Sequence, residues 1–282
     1  MNRVANDLTP AGTSFLSRDG TRIEYERRGT GPALVLVHGG FVDRGFWGPS
    51  LPLLAEHFTV YALDRRGHGQ SDPYPADHNL EREYEDVAAL LAAADTPVNV
   101  LGHSSGAIVA MHAAKRVAHV SHLVLYEPPR FDAFTSAVQA QLRVSLAAGD
   151  YDQVLATVLV DVVVGTTNPE LLRHAREQVL AGARQSQVWA ASLRNVQSIP
   201  AEVDSYVGYR FDPKEFRDFN TPTAILLGST SPPVVRRWME DLHAALPASR
   251  IVELEGQGHG AMLEAPELFV RTVRAALEAS SD

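Results

Sequence analysis

No cysteine occurs among the 282 residues. Disulfides, thiolate metal sites and a cysteine nucleophile are thereby excluded. Long apolar runs are missing as well: no segment approaches the ~18 consecutive apolar residues of a membrane span. The opening MNRVANDLTPAGTSF has no apolar stretch of the secretory-signal type. Positive charge is in deficit, with 25 Lys and Arg against 34 Asp and Glu and a net charge of -9. Such a chain has no attraction for polyphosphate, so neither nucleic acid nor a membrane is expected as a partner. Histidines at ligand spacing on one helix face are absent too, so no metal or other cofactor is expected. These absences suit a cytoplasmic protein whose partner is a small molecule.

What is present is an alternation of strand and helix. TSFLSRDGTRIEYERRG reads as two strands around an Asp19-Gly20 turn. The runs ALVLVHGG, FTVYALDRRG, VNVLGHSSG, VSHLVLYEPP, PTAILLGS and RIVELEGQG follow, short, β-branched and ending in Gly or Pro. They predict strands buried on both faces of a parallel sheet. Helix-period segments at about residues 80–94, 105–118, 232–246 and 264–279 lie between them, which predicts an α/β, mostly parallel, doubly wound sheet. The rhythm breaks over residues 129–220, where helical patterns succeed one another without a strand. The expected organisation is a core of residues 1–128 and 221–282, with a helical cap over 129–220 lying across the carboxyl ends of the strands, where ligands bind in such sheets.

GHSSG, Gly102 to Gly106, matches G-x-S-x-G between a strand and a helix. In that context a sharp turn lifts the Ser104 hydroxyl above the sheet, small residues on either side admit neighbouring backbone, and the helix start favours negative charge. LVLVHGGF, Leu34 to Phe41, ends an earlier strand in His38-Gly39-Gly40.

With these two motifs the chain resembles the α/β-hydrolases over nearly its whole length. The resemblance implies an α/β-hydrolase fold with the cap after its sixth strand. It also implies an oxyanion hole made by the amides of Gly40 and Ser105, with His38 shaping the loop. His259, in GQGHGAM after the last strand, takes the general-base position, and His68 falls in the turn DRRGHGQSD that resembles the structural loop of that fold. The triad order is Ser, acid, His. In most relatives the acid follows the strand that here reads TAILL, at a position occupied by Ser231. A hydroxyl there has no charge with which to stabilise an imidazolium.

Glu127, in LVLYEPP, is the expected replacement, one strand earlier, with Pro128 predicting an extended conformation for it. Asp132 is a second acid candidate, and a dyad or water-assisted site a third arrangement. Some haloalkane dehalogenases and the zearalenone lactone hydrolases carry their acid after this earlier strand. The latter are similar further, in the serine doublet SSGA, the acid-free turn GSTSP and VWA at Val188 to Ala190. That likeness implies that Trp189 faces substrate; packing of the cap is the alternative. Phe41 and His103 flank the expected site and are taken with Trp189 as substrate-contacting residues.

The activity implied is hydrolysis of a carboxylic ester or lactone of moderate size and apolar character, with Ser104, His259 and Glu127 as the triad. Dehalogenase and epoxide-hydrolase relatives use an aspartate nucleophile, which a serine at 104 disfavours. A non-catalytic ligand receptor, and an acyltransferase or cyclase, are the alternatives.

Overall fold

The computed structural model describes residues 13–158, 184 and 187–278. Among them an eight-stranded sheet runs in the order β1-β2-β4-β3-β5-β6-β7-β8. Its strands are β1 (Thr13–Leu16), β2 (Arg22–Arg28), β3 (Ala33–Val37), β4 (Thr59–Leu63), β5 (Val98–His103), β6 (Val120–Tyr126), β7 (Thr223–Gly228) and β8 (Ser249–Leu254). β1 and β2 form the expected hairpin and pair antiparallel, and every pairing from β4 to β8 is parallel. Each residue of β3, β4, β5 and β7 is buried, as near-continuous apolar runs covered on both faces require. From β3 the chain passes to β4 on one side and later to β5 on the other. The strand order thus reverses at β3, and the crevice beyond the carboxyl ends of β3 and β5 is the natural ligand position.

Helices cover both faces: α1 (Ser50–Ala55), α2 (Leu80–Ala93) and α3 (Ser105–Ala114) come first in the chain. All ten residues of α3 are buried, so it serves as a central packing element. The 105–118 segment stops short because Lys115 and Arg116 leave the helix in a turn. Residues 129–220 contribute α4 (Ser136–Ala147), α5 (Tyr151–Ala156), α6 (Gln187–Arg194) and α7 (Ile199–Tyr206), and no strand among the described residues. Much of the helical pattern read over 159–186 lies outside the described residues. After β7 come α8 (Pro233–Ala245), a short α9 (Ala261–Glu264) and α10 (Pro266–Glu278). α10 buries Phe269, Val270, Val273, Ala276 and Leu277, a helical stripe facing the sheet. Each large side chain of that kind stabilises the fold by about 1.5–3 kcal/mol.

The inserted helices are tied to the crevice by polar contacts. Arg194 pairs with Asp43 at 3.0 Å, and Asn195 accepts the Gly69 N–H at 3.0 Å. No described helix is long and apolar enough to cross a membrane.

Candidate active site

Ser104 sits where β5 turns into α3, with φ 53° and ψ -129°. A serine in the left-handed region is strained, and it persists only where its surroundings over-determine it. Here Ser104 N–H continues the ladder to the Tyr126 carbonyl at 2.9 Å. The flanking glycines are steric necessities. A Cβ on Gly106 would lie 2.1 Å from the His38 carbonyl oxygen, and one on Gly102 would lie 2.5 Å from Ala107 Cα. The hydroxyl of Ser104 has no hydrogen-bond partner among the described residues. Bonds from a nucleophile to its base are often long before substrate arrives.

The loop after β3 approaches the same serine: a Cβ on Gly39 would lie 3.1 Å from Ser104 Cβ. His38 orients this loop. Its Nε2 accepts the Arg65 N–H at 2.9 Å, so the proton resides on Nδ1, which donates to the Gly39 carbonyl at 2.7 Å. Burial, and then the nearby positive groups of His68 and Arg65, push its pKa well down and keep the ring neutral. In a trans peptide the N–H opposes the C=O, so fixing the Gly39 carbonyl aims the Gly40 amide the other way. The Ser105 amide lies in the first turn of α3 and has no intrahelical acceptor.

His259 and Glu127 meet. His259 Nδ1–H donates to Glu127 Oε2 at 2.7 Å, with the imidazole half exposed and the carboxylate 3% exposed. The other oxygen, Oε1, accepts the Gly228 N–H at 2.8 Å and the Ser231 hydroxyl at 2.5 Å. Ser231 therefore bonds the Glu127 carboxylate directly. Burial raises the Glu127 pKa, but the contacts with His259, Ser231 and Gly228 outweigh it, and the group is held below the ordinary glutamate value.

One local expectation is corrected. Glu127 is not extended: its φ is 43°. Its N–H reaches the Leu226 carbonyl at 3.2 Å, Trp238 Nε1–H holds the Pro128 carbonyl at 2.8 Å, and the carboxylate bonds on both oxygens. Together these override the preference that a following proline imposes. Asp132 is engaged elsewhere, paired with Arg130 at 2.7 Å and about half exposed.

The loop carrying His259 rests on two rings. The Tyr126 hydroxyl donates to the Gly258 carbonyl and accepts the Ala261 N–H at 3.3 Å. His103 Nε2–H donates to the His259 carbonyl at 3.0 Å. Burial, and then the charge of His259, push the His103 pKa well down. His103 is 3% exposed, stacks on Phe46 at 5.3 Å and lies 4.4 Å from the His259 ring. Phe41 and Trp189 are also largely buried, in one apolar cluster with Phe131, Phe134 and Tyr206. Among the described residues no three His, Asp or Glu side chains are grouped to hold a metal ion.

Sequence reasoning missed the ionic cluster behind the glycine loop. Arg65, 1% exposed, contacts Glu83 at 2.6 Å, Glu202 at 3.2 Å and Ser105 Oγ at 3.1 Å. Glu202 Oε2 in turn accepts the Phe41 N–H at 3.0 Å and faces His68 Nε2 at 3.0 Å. The sequence signal was slight: two arginines one residue beyond an apolar strand.

The fold and sequence of the chain have parallels in known proteins. The chain is 30% identical to an alpha/beta hydrolase from Sphaerobacter thermophilus DSM 20745, with a TM-score of 0.78 over 94% of this chain and 99% of that one. It is 23% identical to the esterase RhEst1 from Rhodococcus sp. ECU1013, with a TM-score of 0.71 over 95% and 98%. In sequence it is 35% identical over 205 residues to the pimeloyl-[acyl-carrier protein] methyl ester esterase of Methylococcus capsulatus, covering 66% of this chain and 78% of that relative. The sequence profile of the Alpha/beta hydrolase family matches residues 34–272, and with most of its length so matched the chain belongs to that family.

Proposed function

We propose that the protein hydrolyses a carboxylic ester or lactone through an acyl-enzyme, with Ser104 as nucleophile, His259 as base and Glu127 as acid. The observation that carries this reading is the 2.7 Å contact between His259 Nδ1 and a buried Glu127, one residue past the strand that neighbours the Ser104 turn. Such a pair leaves Nε2 of His259 free to take the Ser104 proton as Oγ attacks the carbonyl carbon. The resulting oxyanion accepts from the amides of Gly40 and Ser105, each such donor being worth about 3–4 kcal/mol to the transition state. His259 then returns the proton to the departing alkoxide; in a lactone this group stays attached to the acyl chain. Water, deprotonated by His259, attacks the acyl carbon, and Ser104 leaves with its proton restored. Glu127 remains ionised throughout and stabilises the imidazolium.

The inserted helices, residues 129–220, serve in this reading as a lid, with Phe41 and Trp189 forming apolar walls for the substrate. The apolar character of the Phe41, Phe131, Phe134 and Trp189 cluster supports a substrate of aryl or alkyl type.

A fluorophosphonate label together with a panel of aryl esters, alkyl esters and lactones tests the proposal. Wild type should be labelled and should turn over at least one ester or lactone, and Ser104→Ala should do neither. A wild type that is folded, unlabelled and inert toward the panel would favour a ligand receptor. Transfer of the acyl group to an added alcohol in preference to water would favour an acyltransferase.

A further inference from the structure

We propose that Glu202, a carboxylate of the inserted helix α7, is a positioning residue of the oxyanion hole, so that the insertion completes the catalytic machinery as well as covering it. The inference rests on the ester-hydrolase reading above.

Glu202 is 0% exposed. Removing a carboxylate from water costs several kcal/mol unless its oxygens are all answered. They are: Oε2 accepts from Phe41 N–H at 3.0 Å and faces His68 Nε2 at 3.0 Å, while Oε1 accepts from Arg65 Nη1 at 3.2 Å and from the Tyr206 hydroxyl. His68 Nδ1 faces the Arg66 carbonyl at 2.9 Å, so both its nitrogens meet oxygen acceptors.

A fully satisfied buried carboxylate could simply anchor one helix to the core. What distinguishes Glu202 is which core atoms it holds. Phe41 follows Gly40, the first amide donor, and has a strained φ of 68° that the Glu202 contact helps to maintain. Gly40 itself packs on the cluster: a Cβ there would lie 3.0 Å from Glu202 Oε1, 3.1 Å from Ser105 Oγ and 3.1 Å from the Tyr206 hydroxyl oxygen. The guanidinium of Arg65 spans Ser105 Oγ, at 3.1 Å, and Glu202 Oε1, at 3.2 Å. One ion pair thereby links Phe41, the residue next to the Gly40 amide, with Ser105, the residue of the second donor amide. The separation of the two amides must match an oxyanion that exists only in the transition state, so a small displacement weakens catalysis without weakening substrate binding.

Glu202→Gln keeps the side-chain volume but brings an NH2 group against a set of donors, which breaks the convergence. We expect kcat to fall about 30-fold with KM within about threefold, because misplacement by a fraction of an ångström carries penalties of that order. The second-order rate of fluorophosphonate labelling should fall in proportion, since phosphonylation builds charge on an oxygen in the same hole. Tyr206→Phe removes a single donor to Oε1 while its ring stays stacked on Phe131 at 4.1 Å, and it should show the same pattern at about threefold. It decides the matter should Glu202→Gln fail to fold. An anchor without a positioning role predicts a lower Tm with kcat within about twofold, or a loss confined to KM, and either result overturns the inference. A wild type that neither labels nor hydrolyses any ester would instead overturn the hydrolase reading beneath it.

Discussion

The Ser231 hydroxyl lies 2.5 Å from Glu127 Oε1, so the residue at the usual acid position supports a carboxylate delivered from the neighbouring strand. With the Gly228 amide on the same oxygen, both donors leave Oε2 to His259. Residues beyond two neighbouring strands thus meet at one carboxylate.

Glu127→Gln should therefore abolish most activity while the protein stays folded. The amide oxygen can accept from His259 Nδ1–H but brings no charge to an imidazolium. Turnover on the best ester of the panel should fall about 10³–10⁴-fold, as removal of charge from a triad acid does. Initial rates at saturating substrate check this, and near-normal turnover would remove Glu127 from the triad.

Replacing Ser231 gives a graded test of the same contact. Ser231→Ala deletes one hydrogen bond to a carboxylate, worth about 1.5 kcal/mol or slightly more, and should lower kcat about tenfold. Ser231→Asp should be worse despite restoring the commoner residue, because two carboxylates would share one site and oppose each other's ionisation. In a Glu127→Gln background the same Asp should recover at least about tenfold, since a single carboxylate would again face the histidine. Failure of the double variant to exceed Glu127→Gln would show that a carboxylate at 231 cannot reach His259.

Much of this was legible in the chain. The strands were readable because ALVLV, TVYAL and TAILLG are buried on both faces and end in Gly or a turn. The Ser104 turn was readable because its glycines answer contacts that no side chain could share. Helix α7 was not, since IPAEVDSY is short, begins beside a proline and carries its decisive residue, Glu202, as one acid among 34 acidic residues. Convergence of residues 41, 65, 68, 202 and 206 is a product of tertiary packing, and no local period encodes it. The conformation of Glu127 went the same way: the local rule for a residue before proline was correct as a preference and lost to bonds from β7, α8 and the His259 loop.

Glycine substitutions should separate steric need from backbone preference. Gly106→Ala places a methyl 2.1 Å from the His38 carbonyl oxygen, backbone that has nowhere to move, and should prevent accumulation of folded protein. Gly256→Ala, at φ 71° with nothing within 4 Å, should cost only about 1–2 kcal/mol. The yield of folded soluble protein for Gly106→Ala, and thermal unfolding of Gly256→Ala against wild type, check the contrast.

Acid should destabilise the protein through Glu202. Burial raises its pKa, but the charge and hydrogen bond of His68, followed by Arg65, outweigh burial and hold the group well below its ordinary value of 4.5. A depressed folded pKa means stability that is complete above the unfolded value and is lost as the pH falls below it. The wild-type Tm should drop between about pH 4.5 and pH 3, and the drop should be shallower in Glu202→Gln, whose amide does not titrate there. Equal slopes would assign the acid transition to other carboxylates.

The bond from Trp238 Nε1–H to the Pro128 carbonyl has a mechanical meaning. The chain departs for residues 129–220 directly after Glu127, so a swing of those helices would otherwise pull on the carboxylate that faces His259. Pro128 is tethered to α8 and the Glu127 N–H to β7. Under the proposed mechanism the acid is thereby moored to the core by bonds that do not involve the inserted helices. The glycine loop has no such independence, because Glu202 of α7 bonds the Phe41 N–H directly.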